Sequence, residues 1–228
     1  MNERAFRQDA FRIAGVAAVI FGGLLILQMV SYRMTGADVY TETNWAGTFH
    51  QIVDHKLAFS ISAASGALAA ACTIPLVLGF WFSVEEDDRP LASVACGFLL
   101  LSAIILVDGM AHYGNLVGTS FDYINHLAPQ DVIIQNGDSI GDTFQIMQYG
   151  GFTFFGFGLL IMARLMDRSE VFPKSLAWFS ALVGVSSLCF NFLPALFIGG
   201  RLAWVLSMGF TWLRAAPQPA EDAESVVI

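Results

Sequence analysis

Charge is what this sequence has least of. Only 13% of its 228 residues are Asp, Glu, Lys or Arg, about half the share of an ordinary soluble domain, so a water-facing globular surface is excluded. Lys and Arg number 11 against 19 acids, for a formal net charge of -8, and no basic face remains to neutralise phosphates along DNA or RNA. Nucleic acid is therefore not an expected partner. Cysteine is scarce too: Cys72, Cys96 and Cys189 all fall inside apolar stretches, with no Cys-x-x-Cys pair, which leaves no thiolate metal site and no haem attachment motif. His-Glu-x-x-His, a phosphate-binding loop and a dinucleotide fingerprint are all missing, and with them the commonest zinc-hydrolase and nucleotide-binding chemistries.

What is abundant is apolar surface. Hydrophobic residues make up 56% of the chain and its mean hydropathy is +0.62. About 20 apolar residues as helix cross the roughly 30 Å of hydrocarbon in a bilayer, and six such runs occur, near residues 13–32, 57–84, 91–113, 144–166, 175–193 and 196–213. Runs this long cannot be barrel strands, which span in about ten residues of alternating polarity. The expected fold is an all-α polytopic transmembrane bundle of six helices, one domain over residues 1–214. The first run is too long for a signal peptide's apolar core and has no small-residue cleavage site after it, so it is expected to be retained.

Orientation follows from Lys and Arg beside the spans. Arg4, Arg7, Arg12, Arg89, Arg164, Arg168, Lys174 and Arg214 fall on one side, and Arg33 and Lys56 on the other. Both termini are thus expected in the cytoplasm of a bacterial cell, with the chain in the inner membrane and the segments 33–56 and 114–143 facing outward. Residues 215–228, rich in Pro, Ala and acids, cannot bury a core and read as a disordered acidic tail. Trp45, Trp81, Trp178, Trp204 and Trp212 lie near span ends, where an interfacial belt is expected.

Polar side chains inside spans are costly and mark candidate sites. The third run ends in "ILVDGMAHYGNL", where Asp108 and His112 stand four residues apart and so share a helical face. Counting inward from Gly114 and Pro194 puts Asp108 and Arg201 at similar depth, roughly 9 Å in at 1.5 Å per residue, where they can pair. Gln145, Gln148 and Tyr149 share a face at the outer start of the fourth run, His55, Ser60 and Ser62 open the second, and Asn191 closes the fifth. The expectation is a polar vestibule open to the outside, with Asp108, His112, Arg201, Gln148, Tyr149 and His55 as ligand-binding residues. The same Asp–Arg pair can also simply lock two helices. No cofactor is the leading expectation; the alternatives are zinc on His55, Asp108 and His112, or haem b between His55 and His112. The long segment 114–143 is expected to fold back as short interfacial helices, "FDYINHLA" and "QDVIIQ", capping the vestibule.

The first run "RIAGVAAVIFGG" and the stretch "YGGFTFFGFGLLIMARLMDRSEVFPKSLAWFSALVGVSSL" resemble the bacterial six-helix membrane family known as domain of unknown function 4386. The resemblance is carried by Gly150, Gly151, Phe154, Gly156, Pro173, Lys174, Leu176 and Ala177, over helices one, four and five. It implies six helices in a bacterial inner membrane and no particular activity. The leading functional expectation is a non-enzymatic integral membrane protein, either a binder of a small ligand or lipid or an accessory subunit of a membrane complex. Its partners are then the bilayer and other membrane subunits or a second copy. A metal-dependent membrane hydrolase using His55, Asp108 and His112 is one alternative, and a small transporter is another, hinted at by Pro75 in the second run.

Overall fold

The computed structural model describes residues 3–37, 39, 44–190 and 194–216. Within them every apolar run is helical and no strand forms. Eight α-helices follow in order: α1 (Glu3–Thr35), α2 (Trp45–Asp54), α3 (Lys56–Ala71), α4 (Thr73–Ser83), α5 (Arg89–Ile124), α6 (Gln130–Met166), α7 (Lys174–Leu188) and α8 (Pro194–Ala215), with a short 3-10 turn over Glu86–Asp88. Without water in hydrocarbon, each backbone N–H and C=O must find its partner within the helix, and this composition leaves no other choice. The segments Phe6–Thr35, Lys56–Ser83, Glu86–Ile124, Gln130–Met166 and Leu196–Ala215 are each long and apolar enough to cross a bilayer. The fifth run became α7, 15 residues long, roughly 22 Å of helix and short of a full crossing on its own. The protein is a polytopic all-α membrane bundle.

The helices close a ring in chain order. α1 packs on α3 and α4, these on α5, α5 on α6, α6 on α7, α7 on α8, and α8 returns to α1. Small residues allow the closest approaches: a Cβ on Gly15 would lie 2.6 Å from Leu213 and one on Gly22 2.7 Å from Leu206, so α1 and α8 run antiparallel and both chain ends leave from the same end of the bundle. Arg7, Arg89, Arg168 and Lys174 also lie at that end, where Arg168 meets Asp88 at 3.5 Å and Arg89 meets Glu86 at 3.2 Å.

Three expectations are corrected. The third and fourth runs do not stop where polarity rises: α5 continues to Ile124 and α6 begins at Gln130, so "QDVIIQ" and the first half of "FDYINHLA" are continuations of spanning helices, not capping helices, and the second half is the turn between them. Polar residues end an apolar run without ending a helix; the chain turns only at His126, with φ of 53°, and at Pro129. At 36 residues, α5 is roughly 54 Å long and extends well past the roughly 30 Å of hydrocarbon. The second run is interrupted at Cys72, because Pro75 has no N–H to give the carbonyl four residues before it. The tryptophans do not form a belt: Trp45, Trp204 and Trp212 are buried, and only Trp178 is fully exposed at 75%. The expected turn at 191–193 and tail at 217–228 lie outside the described residues.

The buried indoles lock the basic half shut. Trp204 Nε1 donates to Ser180 Oγ at 2.8 Å and Trp212 Nε1 to Ser83 Oγ at 2.9 Å, each satisfying a buried polar atom as burial demands. Around them Phe80, Phe155, Leu159, Val205 and Met208 are almost wholly buried. At the far end a second cluster forms where α2 lies on the α5–α6 hairpin, with Trp45, Phe49, Phe59, Tyr113 and Phe144 at its centre. Trp45 Nε1 donates to Asp138 Oδ1 at 2.6 Å.

A Cβ on Gly156 would stand 2.9 Å from the Gly184 carbonyl oxygen, a contact between α6 and α7 backbones that cannot yield locally. Gly156→Leu is expected to lower the thermal midpoint in detergent by the equivalent of about 1–3 kcal/mol, whereas Gly97→Leu, with nothing within 4 Å of its would-be Cβ, leaves it within about 0.5 kcal/mol.

Candidate functional site

Between the two aromatic clusters the ring encloses a cavity of about 450 Å³, within the usual range for small-molecule sites. Its polar groups come from five helices: Gln28 and Tyr32 on α1, Ser62 on α3, Tyr113 on α5, Gln148 and Tyr149 on α6, and Arg201 on α8. Phe59 stacks on Tyr113 at 4.2 Å and Tyr113 on Phe144 at 4.9 Å to close the far side. Phe152, Phe190 and Phe197 meet one another at 4.7–5.5 Å between centroids and form one wall.

Arg201 is the only charged residue among the described lining residues, and it is 8% exposed. Its guanidinium carbon lies 5.0 Å from the Phe21 and Phe155 ring centroids and 5.8 Å from that of Phe152. Rings attract the face of the cation but offer no lone pair to its N–H edge, and Nε is buried without a hydrogen-bond partner. Desolvating a cation costs several kcal/mol even after relaxation; desolvated cation–π contacts of about 2 kcal/mol each offset much of that cost but leave the N–H edge without an acceptor. Two amides face the same space. Gln28 and Gln148 both donate through Nε2 to Met110 Sδ, at 3.7 and 3.6 Å. A thioether is a weak acceptor, so these donors are available to a better one.

Of the residues expected at the site, Arg201, Gln148 and Tyr149 line the cavity and Asp108, His112 and His55 do not. Asp108 and His112 do share a face of α5, but it is the outer face. Leu106, Met110 and Tyr113 point inward, and Asp108 stands two residues from both Leu106 and Met110, about half a turn round. Asp108 is exposed and His112 half-buried, and no ion pair joins Asp108 to Arg201 among the described residues. Asp108 and Arg201 do not meet as the expected depths implied, because α5 does not end near Gly114: counted from Arg89, Asp108 lies roughly 28 Å along the helix, at the far edge of the hydrocarbon. His55 is exposed at the junction of α2 and α3. No three His, Cys, Asp or Glu side chains converge as metal ligands among the described residues, so the zinc set of His55, Asp108 and His112 is not assembled, and an exposed His55 does not face an interior haem.

Gln28 was the residue that sequence reasoning passed over. It is the only amide in the first apolar run, and the cost of burying polar groups in hydrocarbon that singles out Arg201 applies to it equally. Met110 and the phenyl wall carry no comparable signal.

A family model described as Domain of unknown function (DUF4386) matches residues 13–216. No curated protein and no solved structure shows a significant match.

Because Asp108 and His112 lie outside the cavity and Asp108 has no hydrogen-bond or ion-pair partner among the described residues, Asp108→Asn and His112→Gln are each expected to change unfolding free energy by less than about 0.5 kcal/mol, read as the thermal midpoint in detergent. A loss above about 1 kcal/mol for Asp108→Asn would restore a structural role to it.

Proposed function

This chain belongs to the Domain of unknown function (DUF4386) family, and on that premise we propose that it is a non-enzymatic integral membrane protein that holds a small ligand or lipid in its central cavity. The observation that carries this reading is the buried Arg201, a cation whose Nε has no hydrogen-bond partner and whose side chain lines a cavity of about 450 Å³. A protein rarely keeps such a charge in hydrocarbon without a use for it. Binding is favoured over hydrolysis because the described lining residues include no carboxylate, imidazole or thiol to act as general base beside Ser62.

The excess of Lys and Arg at the end bearing both chain ends supports a cytoplasmic placement of that end in a bacterial inner membrane. The cavity then lies in the outer half of the bilayer, above the Trp204 and Trp212 plug. A small transporter is the second reading, favoured by the interruption at Cys72, since Ala70 just before it lines the cavity and broken helices beside a site are a transporter feature.

Native mass spectrometry of protein released gently from its own membranes tests the proposal. Mass added to the 24.8 kDa chain in the small-molecule range, and lost in a cavity-filling Ala70→Phe variant, is the expected result. A bare chain mass, or added mass only of whole protein subunits, would overturn ligand binding in favour of an accessory subunit or homo-oligomer.

A further inference from the structure

Resting on the binding function just proposed, we infer that the ligand is a single-chain amphiphile with a carboxylate headgroup, seated on Arg201, whose tail leaves sideways into the bilayer between α1 and α8. Charge count sets the headgroup. Arg201 supplies one positive charge and the other described lining residues supply none, so a ligand of one negative charge neutralises the site. A phosphate monoester, at about -1.5 to -2 near neutral pH, would leave an excess charge in hydrocarbon. A planar carboxylate matches the guanidinium fork, and the amides of Gln28 and Gln148, resting on the Met110 sulfur, can donate to its second oxygen.

Shape sets the tail. Apart from its few polar groups the cavity is lined by Leu25, Leu106, Phe152, Phe197 and other apolar side chains. A volume of about 450 Å³ suits a drug-sized ligand and not a whole two-chain phospholipid.

The route follows from the α1–α8 seam. In the basic half the two helices are in tight contact, with would-be Cβ atoms of Gly15, Gly22 and Gly209 at 2.6, 2.7 and 2.8 Å from Leu213, Leu206 and Ala18. Two further turns in the same register, from Gly22 to Met29 and from Leu206 to Gly199, reach a position where Gly199 has nothing within 4 Å of its would-be Cβ. There Met29 and Ile198 are 44% and 37% exposed and also line the cavity. The seam that is shut by glycines below is open beside them, at a depth within the span Phe6–Thr35.

The test is binding of radiolabelled lauric acid to the full chain in phosphatidylcholine nanodiscs. Saturable binding is expected, displaced by unlabelled laurate, displaced at least about tenfold less well by the neutral dodecanol, and not displaced by acetate. Arg201→Met should weaken laurate by about tenfold to a hundredfold, the worth of one charge-assisted hydrogen bond, with Arg201→Lys in between and dodecanol binding unchanged. Ile198→Trp, at an exposed position that folding tolerates, should slow laurate association, and it keeps the route testable where Arg201→Met fails to fold. Dodecanol equal to laurate, or Arg201→Met binding laurate like the parent, would overturn the carboxylate assignment, and acetate competing as well as laurate would overturn the amphiphile. If laurate fails to bind while native mass spectrometry still shows a bound small molecule, this inference falls and the binding function stands. If no chain binds and the native mass is bare, both fall.

Discussion

The guanidinium of Arg201 stands in a wall of phenyl rings with no carboxylate of the described residues paired to it, and the arrangement of the bundle answers to that charge. Three rings at 5.0–5.8 Å stabilise its face, while its buried Nε has no hydrogen-bond partner. In water this would be a trivial surface group. In hydrocarbon it is among the most expensive features in the molecule, and a well-packed core would have replaced it with Met or Leu at no loss. Its persistence beside a cavity, with two glutamine amides parked on a methionine sulfur, is what gives the cavity a chemical direction.

The rest of the fold keeps that cavity in being. Six apolar segments arranged as a closed ring leave a central space that side chains must fill or line. In the basic half they fill it: Trp204 and Trp212, anchored by Ser180 and Ser83, with Phe80, Phe155 and Met208 around them. At the far end the Phe59, Tyr113 and Phe144 stack and the α2 cover close it again. Glycines decide where neighbouring helices touch and where they part, so the same α1–α8 pair that seals one half opens in the other.

The family and the membrane fold were legible in the sequence because hydrocarbon permits so few solutions: long apolar runs with few charges must be helices, and Arg201 was conspicuous as a charge within one. Facing was not legible. The four-residue spacing of Asp108 and His112 puts them on one side of α5 but cannot say which side, and that was decided by Leu106, Met110 and Tyr113 packing inward. Depth failed for a related reason. Hydropathy marks where a helix leaves the bilayer, not where it ends, so the extensions of α5 and α6 through residues 114–143 read as a loop until His126 and Pro129 were seen to make the only turn between them. Gln28 shows the opposite error, a polar group in an apolar run that the same cost argument would have found.

A high-resolution density map of the protein purified with its own membrane lipids tests the central claim most directly. The account predicts an elongated density in the cavity whose head lies within about 2.7–2.9 Å of an Arg201 nitrogen and whose tail passes between Met29 and Ile198. A cavity holding only water, or an Arg201 paired with a carboxylate of the protein itself, would contradict it.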